Sequence, residues 1–307
     1  MSDTVVGRFA PSPSGYMHLG NLLAMLLAWL DCRSLDGTLV FRMEDLDPAR
    51  SKRVYMDALA EDLRWLGLDW DLGWPDPAYA QSNRGAAYEA AFRVLEEKGL
   101  VYPCCCSRAE RLAAASAPHP GEAESDKACR CAFLDASARA AMLAGGRPPA
   151  WKLRCPDEAV TVVDGHYGLL TQNLRCEAGD FIVRRADGVW AYQLAVSVDD
   201  MAMGVTRVVR GRDLLASAPR QRWLIETLGG VSPAYCHTPL LVSGGGKLSK
   251  RLGSLSTQRL REDWKSEALV GHLAFLCGLL EREEAVSPWE LLRDFSWDKV
   301  KKEDILL

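Results

Sequence analysis

Several features are missing from this chain, and each absence narrows what it does. There is no uninterrupted apolar run approaching the ~20 residues of a membrane-spanning helix. The first residues, MSDTVVGRFA, lack the basic-then-apolar plan of a secretory signal. A cytoplasmic protein with no membrane partner is expected. An excess of positive charge is also lacking: 37 Lys and Arg stand against 41 Asp and Glu, a net charge of −4. That argues against non-specific coating of nucleic acid but leaves room for a structured RNA met by a local basic patch, and no DNA partner is expected. No internal repeat of fixed period is found, which excludes a solenoid. No GK[ST] opens a helix after a strand, which excludes a Walker A element.

Cysteine, by contrast, is abundant, with ten in 307 residues. Cys32, Cys155, Cys176, Cys236 and Cys277 are scattered, whereas Cys104, Cys105, Cys106, Cys129 and Cys131 cluster. Without an export signal, such a cluster suggests a metal before disulfides. Cys104-x-Cys106 and Cys129-x-Cys131 offer two pairs of soft ligands, the chemistry of tetrahedral Zn²⁺. The alternative is a set of reduced, unligated thiols.

The length favours two domains or one domain with a large insertion. VVGRFA reads as a buried strand, LLAMLLAWLDCRSL as a helix apolar nearly all round, and GTLVFRMED as a second strand. Apolar spacing predicts helices over 52–66 and 84–98. Strand, helix, strand, helix indicates an α/β fold with a parallel sheet and crossover helices. The pattern dissolves over 101–150. Beyond it, FIVRRADGVWAYQLAV predicts a hairpin about Asp187-Gly188. VTRVVRGRD predicts a strand ending in charge, 219–228 a helix and TPLLVS a strand; the last ~56 residues look helical.

Two stretches invite chemistry. PSPSGYMHLGN, residues 11–21, lies between a strand and a helix, the place where open α/β sheets bind ligands. Gly15 and Gly20 admit close backbone approach, the helix start offers N–H groups to an anion, and His18 and Asn21 add donors. GGGKLSKR, residues 244–251, is a cationic loop suited to neutralising a polyphosphate during group transfer.

HLGN resembles the first signature of the class I aminoacyl-tRNA synthetases, and KLSKR resembles the second. GRFAPSPSGYMHLGN, FRMEDLDPAR, AYQLAVSVDD, VVRGRDLL and GGKLSKRLGSLS are similar, in order, to blocks of the glutamyl-tRNA synthetase branch, over roughly residues 7 to 256. The resemblance implies a Rossmann-like parallel-sheet catalytic domain split by an insertion, with a short C-terminal helical region. The expected divisions are 1–100 and 190–245 for its two halves, 101–189 for an acceptor-binding-like insertion carrying the cysteine cluster, and 246–307 for the KLSKR loop and a short helical tail.

The resemblance also implies site roles. Arg8, Ala10, Ser12, Tyr192 and Arg210 would hold glutamate and Glu44 would take its ammonium group. Arginine suits bidentate recognition of carboxylate. His18, Gly20, Asn21, Lys247 and Lys250 would bind ATP, accompanied by Mg²⁺. The implied reaction is attack of the glutamate carboxylate on the α-phosphorus of ATP, releasing pyrophosphate. His18 and Lys250 would stabilise the transition-state charge. Asn21 departs from the histidine that usually ends the first signature. In the relatives' zinc site a tyrosine stands where this chain has none, and Cys131 or His119 would replace it.

A tail of ~56 residues is too short for the large anticodon-binding region expected of a full glutamyl-tRNA synthetase. The truncation resembles a paralogue that activates glutamate without tRNA and places it on queuosine in the tRNA(Asp) anticodon. A monomer is expected. The alternatives are a shortened synthetase charging a tRNA 3′ end and a catalytically idle RNA- or amino-acid-binding relative.

Overall fold

The computed structural model describes residues 4–106, 129–242 and 256–307. The chain opens with β1 (Val6–Phe9), α1 (Leu19–Ser34), β2 (Thr38–Phe41), α2 (Arg53–Trp65), β3 (Leu72–Gly73) and α3 (Gly85–Glu97). It continues through β4 (Val101–Cys104), α4 (Ala136–Ala144), β5 (Ala150–Leu153), β6 (Ala159–Asp164), β7 (Gly168–Asn173) and β8 (Phe181–Arg184). Then come α5 (Tyr192–Ala202), β9 (Arg207–Gly211), α6 (Ala218–Thr227), β10 (Ala234–Thr238) and β11 (Leu241–Val242). The tail carries α7 (Thr257–Asp263), α8 (Ser266–Cys277), α9 (Pro288–Leu292) and β12 (Ile305–Leu306).

The α/β alternation of the first hundred residues builds a parallel sheet. β1 pairs with β2 from Val6↔Thr38 to Phe9↔Phe41, and β2 pairs with β3. On the other flank β9 and β10 pair in parallel from Ala234↔Arg207 to Thr238↔Gly211. The halves meet where the Thr206 N–H donates to the Val6 carbonyl at 3.0 Å and the Arg8 guanidinium donates to the Val209 carbonyl at 2.9 Å. Running outward from β1, the chain order therefore reverses between β1 and β9. That is the switch point at which doubly wound sheets open a crevice. The β6–β7 hairpin extends the sheet beyond β10, at Tyr235↔Asp164.

α1 is apolar on nearly every side because it is covered on every side. Leu22, Leu23, Leu26, Leu27, Trp29 and Leu30 are all buried between the sheet and the tail helices. Each such leucine contributes about 2 kcal/mol of transfer free energy. The tail is thus part of the main core, with Leu269, Leu273 and Leu291 packed into it and Trp289 edge-on to Trp29 at 4.8 Å. Gly271 of α8 permits this closeness, since a Cβ there would lie 1.7 Å from the Glu284 carbonyl oxygen.

The intervening segment forms a separate antiparallel sheet, β4-β5-β8, over a core shared with α3 and α5. Here two expectations need correction. The turn at Asp187-Gly188 forms, with Gly188 at φ 87°, but strand pairing ends at the Arg184↔Trp190 bridge. The supposed second arm is the helix α5. Its apolar residues alternate (Tyr192, Leu194, Val196, Val198), which mimics a strand; yet Ala195, Ser197, Asp199 and Asp200 are buried too, so the segment is enclosed all round. TPLLVS is likewise not one continuous strand. Its Thr238 ends β10, the strand formed by AYCHT just upstream and disguised by its buried His237 and Thr238, and Leu241–Val242 pair separately with β12. No helix among the described residues is long and apolar enough to cross a membrane.

Candidate active site

A cavity of about 680 Å³ opens at the switch point, between the ends of β1 and β9 and the start of α1. This is an ordinary size for a small-ligand site. Arg8, Ala10, Ser12, Glu44, Tyr192 and Arg210 line it, and so do His18, Gly20 and Asn21. Strands β1 and β9, helices α1 and α5, and the segments that follow β1 and β2 thus bring together every residue nominated from the sequence for the two substrates, save Lys247 and Lys250. Those two lysines lie outside the described residues. The chain on either side of them does border the site: Leu241 and Val242 line the cavity, and Ser256 forms an antiparallel bridge with His18. The Thr257 N–H donates to the Met17 carbonyl at 2.8 Å, tying the two signature regions together.

The start of α1 is built by its own residues. His18 takes the extended N-cap conformation, and its N–H is accepted by Asn21 Oδ1 at 3.1 Å. Asn21 therefore braces the helix start, a role not read from the sequence. Gly20 has no side chain to crowd the imidazole, for a Cβ there would sit 3.2 Å from the His18 ring. Burial lowers the His18 pKa, so near neutral pH the ring is a neutral hydrogen-bond donor beside the free N–H groups of the helix.

Beneath the cavity lies a charge network that sequence reasoning missed. Arg42 is fully buried and donates to Asp200 Oδ1 at 2.6 Å and to Glu44 Oε1 at 2.9 Å. Burial works against the Arg42 charge, but Asp200, Glu44 and Asp199 outweigh it and hold the guanidinium above the ordinary arginine value. Asp199 accepts from Arg84, Gln81 and the Tyr88 hydroxyl. Arg8 lies 3.6 Å from Asp200, and burial lowers its pKa from a value high enough that it stays cationic. Burial raises Glu44 above the ordinary carboxylate value, against the pull of Arg42. Among the buried charges, Arg8, Arg210 and Glu44 therefore face a single space, which suits a ligand carrying carboxylates and an ammonium group.

The cysteine cluster forms a second centre, and none of its residues lines the cavity. Cys104, Cys106, Cys129 and Cys131 hold their sulfurs within 4.8 Å of one another. The Cys104–Cys129, Cys106–Cys129 and Cys106–Cys131 separations are 3.6, 3.7 and 3.5 Å. Four thiolates about 2.3 Å from a zinc ion would stand about 3.8 Å apart, so the donor set fits tetrahedral zinc. Both Cys129 and Cys131 enter the cluster; His119 lies outside the described residues. Cys105 points elsewhere, toward the Arg147 carbonyl.

Comparison with known proteins gives the family. The family model described as "tRNA synthetases class I (E and Q), catalytic domain" matches residues 4–304. The chain is 45% identical to the Glutamyl-Q tRNA(Asp) synthetase of Symbiobacterium thermophilum, over 97% of this chain and 94% of that protein. It is 46% identical to the Glutamyl-Q tRNA(Asp) synthetase of Nitratidesulfovibrio vulgaris, over 89% and 86%. Among solved structures, the glutamate-tRNA synthetase of Elizabethkingia anophelis superposes with a TM-score of 0.81 at 25% identity, covering 99% of this chain and 68% of that one. The chain belongs to the family of class I tRNA synthetase catalytic domains for glutamate and glutamine.

Proposed function

We propose that this chain activates glutamate with ATP in the absence of tRNA and transfers it to queuosine in the anticodon of tRNA(Asp), acting as a cytoplasmic monomer. The observation that carries the reading is the meeting of Arg8, Glu44, Tyr192 and Arg210 in one cavity with the start of α1. Relatives named Glutamyl-Q tRNA(Asp) synthetase, matching nearly the whole chain, support the acceptor.

In this mechanism Arg8 and Arg210 take the carboxylates of glutamate, with Ala10 and Ser12 lining its place and the Tyr192 hydroxyl beside Arg210 at 3.5 Å. Ionised Glu44 takes the ammonium group. Neutral His18, Gly20 and Asn21 receive the phosphates, and Lys247 and Lys250 supply positive charge as pyrophosphate leaves. No side chain need exchange a proton; the rate comes from alignment and electrostatic stabilisation. Mg²⁺ accompanies ATP as its counter-ion.

Residues 1–100 and 190–245 are the halves of the catalytic domain and 101–189 the insertion that meets RNA. Residues 246–307 are the second-signature loop and helical tail. Zn²⁺ bound by Cys104, Cys106, Cys129 and Cys131 would brace the insertion.

Pyrophosphate exchange measured with each amino acid, first without tRNA, tests the activation step. Glutamate-dependent exchange without tRNA is expected, followed by transfer of labelled glutamate to queuosine-containing tRNA(Asp). Exchange appearing only with tRNA(Glu) would replace this reading with a synthetase charging a 3′ end. No exchange under any condition would leave an idle relative.

A further inference from the structure

Arg210 is held entirely by neutral groups. Its Nε–H donates to His237 Nε2 at 3.0 Å, its Nη1 to Gln221 Oε1 at 2.7 Å, and its Nη2 to the Leu214 carbonyl at 3.3 Å. Among the described residues no carboxylate pairs with it, in contrast to Arg42, whose guanidinium is gripped by Asp200 and Glu44. A guanidinium already paired with carboxylates has much of its charge spoken for. One held by neutral acceptors keeps that charge for a ligand.

The proton on His237 follows from the donors around it. The Nε of arginine always carries hydrogen, so His237 Nε2 must accept, and the ring proton sits on Nδ1. That nitrogen lies 2.6 Å from Asp164 Oδ2, with both side chains fully buried. Burial keeps His237 below the ordinary histidine value, Asp164 opposing and Arg210 assisting, which favours the neutral ring. The carboxylate is itself fixed: Asp164 Oδ1 accepts from the backbone N–H groups of His166 at 3.0 Å, Tyr167 at 2.9 Å and His237 at 3.3 Å. On the other side, Gln221 Nε2 donates to Gln193 Oε1 at 2.8 Å, and Gln193 Nε2 donates to Ser217 Oγ at 3.0 Å. That chain turns the Gln221 oxygen toward Arg210. Neither Asp164 nor His237 lines the cavity.

We infer that Asp164 and His237 are positioning residues for amino-acid recognition: the Asp164-fixed ring offers Arg210 a neutral acceptor that sets the guanidinium plane and leaves its charge for a substrate carboxylate. The inference rests on the reading of Arg210 as a glutamate ligand.

Three substitutions in the full chain separate this role from a merely structural one. His237→Gln keeps an acceptor oxygen near the place of Nε2, and His237→Leu removes it. Asp164→Asn acts through the proton. Oδ1 receives three N–H donors, so an asparagine must keep its oxygen there and turn its NH₂ toward His237 Nδ1. The ring proton then moves to Nε2, where it opposes the Arg210 Nε–H.

In pyrophosphate exchange, His237→Leu and Asp164→Asn should raise the KM for glutamate at least about tenfold, with kcat and the KM for ATP within about threefold of the unsubstituted protein. His237→Gln should stay near the parent. An unchanged KM for glutamate in His237→Leu, equal impairment of His237→Gln and His237→Leu, or a joint rise in both KM values would overturn the inference. Ring-nitrogen NMR of the unsubstituted, ligand-free chain gives an answer even if the variants misfold. It should find the His237 proton on Nδ1; a proton on Nε2 overturns the inference. If the parent chain shows no glutamate-dependent exchange, the proposed function fails, and the NMR result still decides how Arg210 is held.

Discussion

Glu44 is subject to two opposed influences, and their balance makes it sensitive to pH. Burial favours its neutral form, while Arg42 at 2.9 Å favours the carboxylate, and burial prevails. Only the carboxylate can attract a substrate ammonium group. Because the Glu44 pKa is raised, that attraction is present at high pH and is lost as pH falls, at a point above the ordinary value of 4.5. The KM for glutamate should therefore climb on the acid side while the KM for ATP stays level. Glu44→Gln should have a high KM for glutamate that is flat across the same range. A KM for glutamate in the parent that does not respond to pH between 5 and 8 would remove Glu44 from that role. The positions of Arg8, Glu44, Tyr192 and Arg210 were legible because ordered blocks carry them. The support beneath them was not. Arg42, Asp199 and Asp200 sit inside quoted blocks, but a sequence does not reveal which charges of FRMED and SVDD will be buried against each other.

Among the elements, the seat of helix α7 shows how burying a carboxylate can cost stability even where an arginine partly offsets it. The helix docks on α2 through Arg261, which lies 3.5 Å from Asp62, a carboxylate with almost no exposure. Burial pushes the Asp62 carboxyl up from 3.8 to about 6. A carboxyl whose pKa is raised on folding binds more protons folded than unfolded between those values, so stability falls as pH rises from about 4 to about 6. Asp62→Asn should relieve this, with a gain approaching about 3 kcal/mol above pH 7 that shrinks toward zero near pH 4. Melting curves of both proteins at pH 8 and pH 4.5 test it; a gain no larger at pH 8 would refute it.

The cysteine centre belongs to this scale too, because it joins β4 to the turn after residue 129. One zinc per chain by elemental analysis is expected, lost in Cys129→Ser. Since no cysteine of the cluster lines the cavity, that variant should keep pyrophosphate exchange and lose transfer to RNA. Loss of both in parallel would tie the metal to the whole fold. Helices α2 and α3 were legible because each buries one face and keeps a helical period, and α1, covered all round, was legible from the length of its apolar run. Helix α5 was not, since burial on all sides erased its period and left an accidental alternation of two.

At the scale of the whole molecule, the tail is less an appendage than a support behind the segment that borders the site. Trp297 donates to Asp31 of α1 at 2.6 Å, and β12 pairs with β11 at Leu241↔Ile305 and Val242↔Leu306. Asp304 takes both ends of Arg212 at 2.6 Å and accepts the Leu240 N–H at 3.2 Å, while the Tyr167 hydroxyl donates to the Lys302 carbonyl at 2.7 Å. None of this was legible, because such pairings join positions sixty or more residues apart with no local pattern. Their consequence is specific. Leu240, Leu241 and Val242 line the cavity on the side of His18 and lead into the second signature, so the tail holds the segment from which the lysine loop departs. Asp304→Ala should therefore act on the phosphate end and spare the amino-acid end. The expected result is a rise of roughly fivefold in the KM for ATP, with the KM for glutamate unchanged. Exchanging the two charges, as Arg212→Asp with Asp304→Arg, should restore part of the loss through the ion pair. It cannot restore all of it, because an arginine at 304 cannot accept the Leu240 N–H. An equal rise in both KM values would mean that the tail supports the fold generally; no rise in either would mean that β11 keeps its place without it.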